Sequence, residues 1–180
     1  MENNLTSTHG FDHQAFFEAV NARRREQQLS WPALARVIWE QSHRLNQQRN
    51  DHPISPETIR KMGDRDGVSC QHALFVLRWL GVPPETFIAK PEPGTAGVAF
   101  PPADDSQRLR WNLRKLYGVL EAARTARGAT WQQAAEHIGC TPTQLTGLRT
   151  AKFATGMGVA MRITQALRRP AADFVYPADW

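Results

Sequence analysis

Apolar positions in the first ninety residues recur three and four apart, in short blocks that each open on a hydroxyl or carboxylate side chain. In FDHQAFFEAVNARRREQ, Phe16, Phe17 and Val20 form one stripe, and Asp12 stands where a helix N-cap would accept a first-turn N–H. Ser30 opens the next block with Trp31 and Pro32 in its first turn, where proline costs least because its missing N–H would have no helical partner. Trp31, Leu34, Ala35, Ile38 and Leu45 fall largely on one stripe, and nothing breaks the pattern before Asn50-Asp51-His52-Pro53. The expectation is one helix running from Ser30 through about Arg49, then a turn over Asn50–Pro53. Ser55-Pro56 starts another helix with Ile59 and Met62 inward. SCQHALFVLRWLG supplies a supporting helix through Leu74, Leu77, Trp79 and Leu80, and Gly81 ends it.

The same order of signals returns downstream. LSWPALARVI (29–38) aligns with ATWQQAAEHI (129–138) at an offset of 100, which places Trp31 against Trp131. Ser55-Pro56 aligns with Thr141-Pro142 at an offset of 86, and both copies close on phenylalanine, Phe87 and Phe174. The first copy therefore holds 14 extra residues, the polar stretch within IWEQSHRLNQQRNDHPI. In copy two Thr130 and Thr141-Pro142 open the helices, and Leu145, Leu148, Val159, Met161, Ile163 and Leu167 are the apolar positions. Each copy reads as four or five helices, so the expected fold class is all-α: two tandem units, 1–90 and 105–180, joined over 91–104. That joining stretch, within AKPEPGTAGVAFPPAD, is rich in Pro and Gly and reads as a semi-extended linker. After it, DDSQRLRWNLRKLYGVLEAARTARG is a longer helical pattern than the copy needs. Trp111 and Leu113 either pack on the other unit or a second subunit, or mark a broken helix start.

Composition changes this picture in one respect. The 180-residue chain is ordinary for a globular protein, with 41% apolar and 22% charged residues. Its net charge of +5 is unevenly placed, however. Residues 1–90 carry 11 Lys and Arg against 10 Asp and Glu, 91–104 carry a net −2, and 105–180 carry 11 against 5. The excess positive charge belongs to the second copy and favours an anionic partner there. MENNLTSTHGFDH lacks the basic start and apolar stretch of a signal peptide, and no apolar run reaches a membrane span. The expected location is cytoplasmic and nucleoid-associated, with no membrane partner. Cys70 and Cys140 are the only cysteines and read as small apolar residues.

The order and spacing of these words resemble the phage-repressor-type (xenobiotic-response-element-like) helix-turn-helix DNA-binding family. Its members carry an LSW..LA second helix, an SP.TL third helix and a closing WLG....F. Both copies carry the resemblance, over about 75 to 80 residues each. It implies two tandem repressor-like helix-turn-helix domains whose third helices lie in the DNA major groove. Carried over, the DNA-facing positions are Ser55, Glu57, Thr58, Arg60 and Lys61 in copy one. In copy two they are Thr141, Thr143, Gln144 and Gly147, followed by Arg149 and Lys152. Their chemistry suits the role: Gln pairs with adenine, Glu accepts from cytosine, Thr offers a hydroxyl and a methyl, and Lys or Arg reaches guanine or phosphate. Two departures stand out. Trp31 and Trp131 occupy the place where the family often has Gln, and they suit packing against helix one or three better than a DNA contact. The 14-residue insertion replaces the tight turn; as a helical extension it would present Gln41, His43, Arg44, Gln47, Gln48 and Arg49 on a protruding arm, for phosphates or a partner protein. A solvated insertion without function is the equal alternative.

Other chemistry finds little support. His9 and His13 could share a helical face, but no third ligand accompanies them, so no metal is expected. Asp64, Asp66 and Gly67 read as a turn, with Arg65 set against calcium. No nucleophile, phosphate-loop or paired-carboxylate pattern occurs, so neither catalytic residues nor cofactors are expected. Arg23, Arg24 and Arg25 suit the solvated end of helix one. The resulting expectation is a sequence-dependent DNA-binding transcriptional regulator, monomer or homodimer, with double-stranded DNA as partner. The alternative is a protein-interaction module in a regulatory complex, in which only the second domain touches DNA and copy one, with Glu57, Asp64 and Asp66, meets a regulatory protein.

Overall fold

A computed structural model describes residues 10–64, 68–150 and 155–180 of the chain. The first repeat contains α1 (His13–Glu26), α2 (Trp31–Glu40), α3 (His43–Arg49), α4 (Pro56–Arg60) and α5 (Cys70–Leu80), closed by a 3-10 turn, Pro84–Phe87. The second contains β1 (Arg108–Trp111), α6 (Leu113–Ala126), α7 (Trp131–Ile138), α8 (Pro142–Thr146) with a 3-10 turn Gly147–Arg149, and α9 (Met157–Ala166). A 3-10 turn Ala171–Phe174 and β2 (Val175–Ala178) close it.

Local chemistry accounts for most helix ends. Asp12, Ser30, Ser55 and Ser69 each accept an N–H from the first turn of the helix they precede. Thr130 and Thr141 do the same inside reciprocal capping boxes with Gln133 and Gln144. Gly81 and Gly139 close α5 and α7 in the left-handed conformation (φ 70° and 81°), which glycine adopts without a Cβ clash.

The repeat is visible in three dimensions down to individual contacts. Asp12 N–H donates to the Phe87 carbonyl at 2.8 Å, and Asn112 N–H donates to the Phe174 carbonyl at 2.7 Å. Trp31 stacks on Phe17 with Arg24 over its ring at 4.3 Å; Trp131 stacks on Tyr117 with Arg124 over its ring at 4.5 Å. Both arginines also donate to the carbonyl that precedes the next helix, at Leu29 and Ala129, each at 2.6 Å. Both tryptophans thus pack against the first helix of their repeat. Arg24 is not simply a solvated charge at the end of α1; it is the bolt between α1 and α2.

Two expectations are corrected. The fold is not all-α: it is mostly helical, but β1 and β2 form a two-stranded antiparallel sheet with Arg108 opposite Ala178 and Trp111 opposite Val175. The segment QRLRWNL, which reads as the start of a long helix, is extended instead. Its backbone pairs with β2, and Gln71 covers its other edge, donating to the Leu109 carbonyl and accepting from Trp111 N–H. Tertiary pairing overrides a weak local preference here. Second, α2 does not run on to Arg49. It ends at Glu40, the chain turns at Gln41–Ser42, and α3 starts in a new direction. The cause lies on the far side of the chain, where the Asp105 carbonyl accepts Arg44 N–H and Leu45 N–H (3.1 and 3.4 Å) and the Gln107 carbonyl accepts the Ser42 hydroxyl (2.6 Å). The expected turn after Arg49 is present, with Asn50 in the left-handed region at φ 49°.

Buried residues from both repeats form one continuous cluster, from Phe16, Leu34, Ile59 and Leu77 to Leu116, Leu145, Met161 and Phe174. The stretch between the repeats lies on the protein rather than spanning solvent. Thr95 is fully buried, its hydroxyl donating to Glu92 carbonyl and accepting from Gln165 Nε2, while Gln165 Oε1 accepts Glu92 N–H.

Candidate nucleic-acid interface

In the second repeat α7 and α8 are joined by Gly139-Cys140. Arg162 of α9 donates to the Gly139 carbonyl and so ties that turn to the supporting helix. Leu145 and Leu148 are fully buried beneath α8, which turns Thr141, Thr143, Gln144 and Arg149 to the exposed side; Gly147 is half-buried. Gln144 Oε1 accepts Thr141 N–H at 2.8 Å as half of the capping box. To present both ends of its amide to a base, Gln144 must release that bond, a cost of about 0.5–1.5 kcal/mol. Lys152 lies outside the described residues.

The first repeat builds the same helix pair with α3 interposed. Ile59 and Met62 are fully buried beneath α4, and Ser55, Glu57, Arg60 and Lys61 are exposed. The Thr58 hydroxyl sits 2.8 Å from Ser55 Oγ at the helix cap. Glu57 pairs with Arg60 at 2.8 Å and Lys61 at 3.2 Å, and these hydrogen-bonded cations hold its carboxyl below the usual range. The exposed face of α4 thus neutralises itself, whereas among the described residues no acid pairs with Arg149 in the second repeat. Asp64 follows α4 and is exposed; Arg65, Asp66 and Gly67, like His9, fall outside the described residues.

The insertion does not project as an arm. Arg44 is bound to Asp105 at 2.5 Å, and His43 Nδ1 lies 3.5 Å from the same carboxylate. Gln47, Gln48 and Arg49 are exposed on the outer side of α3. Its inner side carries a polar network that the sequence stripe did not reveal. Asn46 is 1% exposed; its Nδ2 donates to the Trp39 carbonyl at 2.8 Å, and its Oδ1 accepts from Arg108. Arg108, 3% exposed, also reaches Asp51 at 2.8 Å, and that hydrogen bond holds the Asp51 carboxyl below its ordinary value. Arg78 of α5 gathers the rest: its guanidinium donates to Ser42 Oγ and to the carbonyls of Gln41, Ala103, Asp104 and Gln107, at 2.8 to 3.2 Å. Two arginines therefore tie α3, α5 and the entry to β1 together. A hint was present in the sequence: Arg78 interrupts the apolar run ALFVLRWL, where a cation requires a dense set of acceptors.

Burial pushes the Cys70 thiol up to about 12, burial also raises Cys140, and burial lowers His72. Among the described residues no group of three or more His, Cys, Asp or Glu could hold a metal ion, and no helix is long and apolar enough to cross a membrane. Compared with protein-family models, curated proteins and solved structures, the chain matches none.

Proposed function

We propose that the protein binds duplex DNA through the exposed faces of α4 and α8 and acts in transcriptional regulation. The observation that carries this reading is the repeated helix pair: α2 with α4, and α7 with α8, each with a buried apolar floor and an outward polar face. Such a face suits a major groove, with Thr143 and Gln144 read as the base-edge contacts and Arg149 as a contact to phosphate or guanine. The charge distribution supports the second repeat as the stronger phosphate anchor, since each neutralised phosphate releases counterions. Glu57, spent on Arg60 and Lys61, favours a second reading for α4 alone, contact with a protein partner.

The test is titration of the full chain with duplex DNA over a range of salt. Binding should weaken linearly in log–log form, and Arg149→Ala should lower the slope by about 1. Gln144→Ala should cost on the order of 1–3 kcal/mol on a preferred site and little on random duplex. Absence of salt-dependent duplex binding refutes the proposal. If Arg60→Ala and Lys61→Ala leave DNA affinity unchanged, the protein-contact reading of α4 is preferred.

A further inference from the structure

The two repeats follow one another along the chain, yet their contacts are those of a two-fold pair. Ser69 and Gly156, the N-cap residues of α5 and α9, occupy equivalent positions 87 residues apart and face each other in an antiparallel bridge. Cys70 N–H donates to the Thr155 carbonyl at 2.7 Å, and Met157 N–H donates to the Val68 carbonyl at 3.0 Å. At the same offset Cys70 corresponds to Met157 and Val68 to Thr155, so these are one bond seen from either half. Reciprocal exchange of this kind is the signature of an isologous contact; a translated repeat would join unlike surfaces head to tail.

Two more contacts lie on the same axis. The equivalent helices α5 and α9 pack on each other. Farther along, the equivalent turns Pro84–Phe87 and Ala171–Phe174 meet where Glu85 Oε1 accepts Ala171 N–H at 2.7 Å. α4 and α8 each precede in sequence the helix whose N-cap forms the bridge. The insertion, together with Arg78 and Arg108, ties residues 103–108, the entry to the second repeat, onto the first.

Resting on the DNA-binding reading, we infer that one chain is a covalently joined, asymmetric dimer that reads a single site of two inverted, non-identical half-sites at fixed spacing. Duplex DNA has local two-fold axes perpendicular to its own, and readers related by a two-fold match half-sites related by one. The half-sites differ because the readers differ, SPETIRKM in one repeat and TPTQLTGL in the other.

The experiment selects preferred duplexes from a random library with the full chain, then compares three probes. One is the selected site, one has a half-site reversed in place, and one has a few base pairs inserted at the centre. Reversal and insertion should each weaken binding at least about tenfold, and light scattering should find one chain per duplex. Equal affinity for the reversed probe, indifference to spacing, or two chains per duplex overturns the inference and leaves DNA binding intact. If no duplex is bound at all, the DNA-binding reading falls and the inference falls with it.

Discussion

Replacing Arg108 with methionine tests whether α3 is a clamp or a decoration. Arg108 is 3% exposed, and its guanidinium makes two hydrogen bonds to Asn46 Oδ1 and one to Asp51. Methionine approximates the length of the stem but offers no donor. Asn46, 1% exposed, would keep a buried carbonyl oxygen without its cation, a cost of about 1–3 kcal/mol. Breaking a fully buried ion pair costs about 3–5 kcal/mol, but Asp51 is 36% exposed and regains water, so that contribution is screened to about 1 kcal/mol. The expected loss is about 2–4 kcal/mol.

Urea unfolding followed by tryptophan fluorescence measures it, as a shift in midpoint at constant slope. Arg44→Ala is the internal control: its partner is also acidic, but its side chain is 58% exposed, so it should cost no more than about 1 kcal/mol. The double variant Asn46→Leu/Arg108→Met removes both members of the buried pair and should be more stable than the sum of the single effects, by about 1 kcal/mol or more. Additivity of the two, or an Arg108→Met loss under about 0.5 kcal/mol, refutes the clamp.

Two further predictions concern the axis and the repeated bolts. Burial raises the Glu85 carboxyl above its ordinary value, so ionisation opposes folding; stability falls as pH rises above the unfolded-state value, and Glu85→Gln should raise the melting temperature at pH 7 but not below pH 4. A larger gain at acid pH than at neutral pH would contradict it. Arg24→Ala and Arg124→Ala should each lower stability by about 1–2 kcal/mol through lost stacking and a lost carbonyl partner. Arg24→Ala should cost more, because Arg24 also holds Asn21 through two hydrogen bonds. A reversed order in urea titrations would refute the contribution of the Asn21 contacts.

What could be read from the sequence was local. Asp12, Ser30, Ser55, Thr130 and Thr141 cap helices because a short side chain can satisfy a first-turn N–H within three residues, and nothing distant is needed. The stripe Trp31, Leu34, Ala35, Ile38, Leu45 pointed inward as expected, and Leu45 is buried. A stripe cannot report a change of helix direction that keeps the same face inward, and the break at Gln41–Ser42 is of that kind. It is set by carbonyls at Asp105 and Gln107, more than sixty residues away. Residues 108–111 are extended for a similar reason: their partners, Gln71 and residues 175–178, are remote.

The two-fold relation was the least accessible feature, yet α5 carried its trace. A helix that packs on one side buries one stripe. In α5 the buried set is Cys70, Ala73, Leu74, Phe75, Val76, Leu77 and Leu80, with five consecutive members that span more than one helical turn. A helix buried on so many sides must be covered on more than one, and α5 is met by α1, α2 and α4 of its own repeat and by β1 and α9 of the second. In a chain that contains its own repeat, the equivalent helix is the available partner, and α9 answers with Met157, Ala160, Met161, Ile163, Thr164 and Gln165 buried. Two equivalent helices that cover each other's surplus face do so by rotation, because each must present that face to the other at once. A translated neighbour would leave one of the two faces exposed to water. The wide apolar face of α5 is therefore covered in part by its own counterpart in the second repeat.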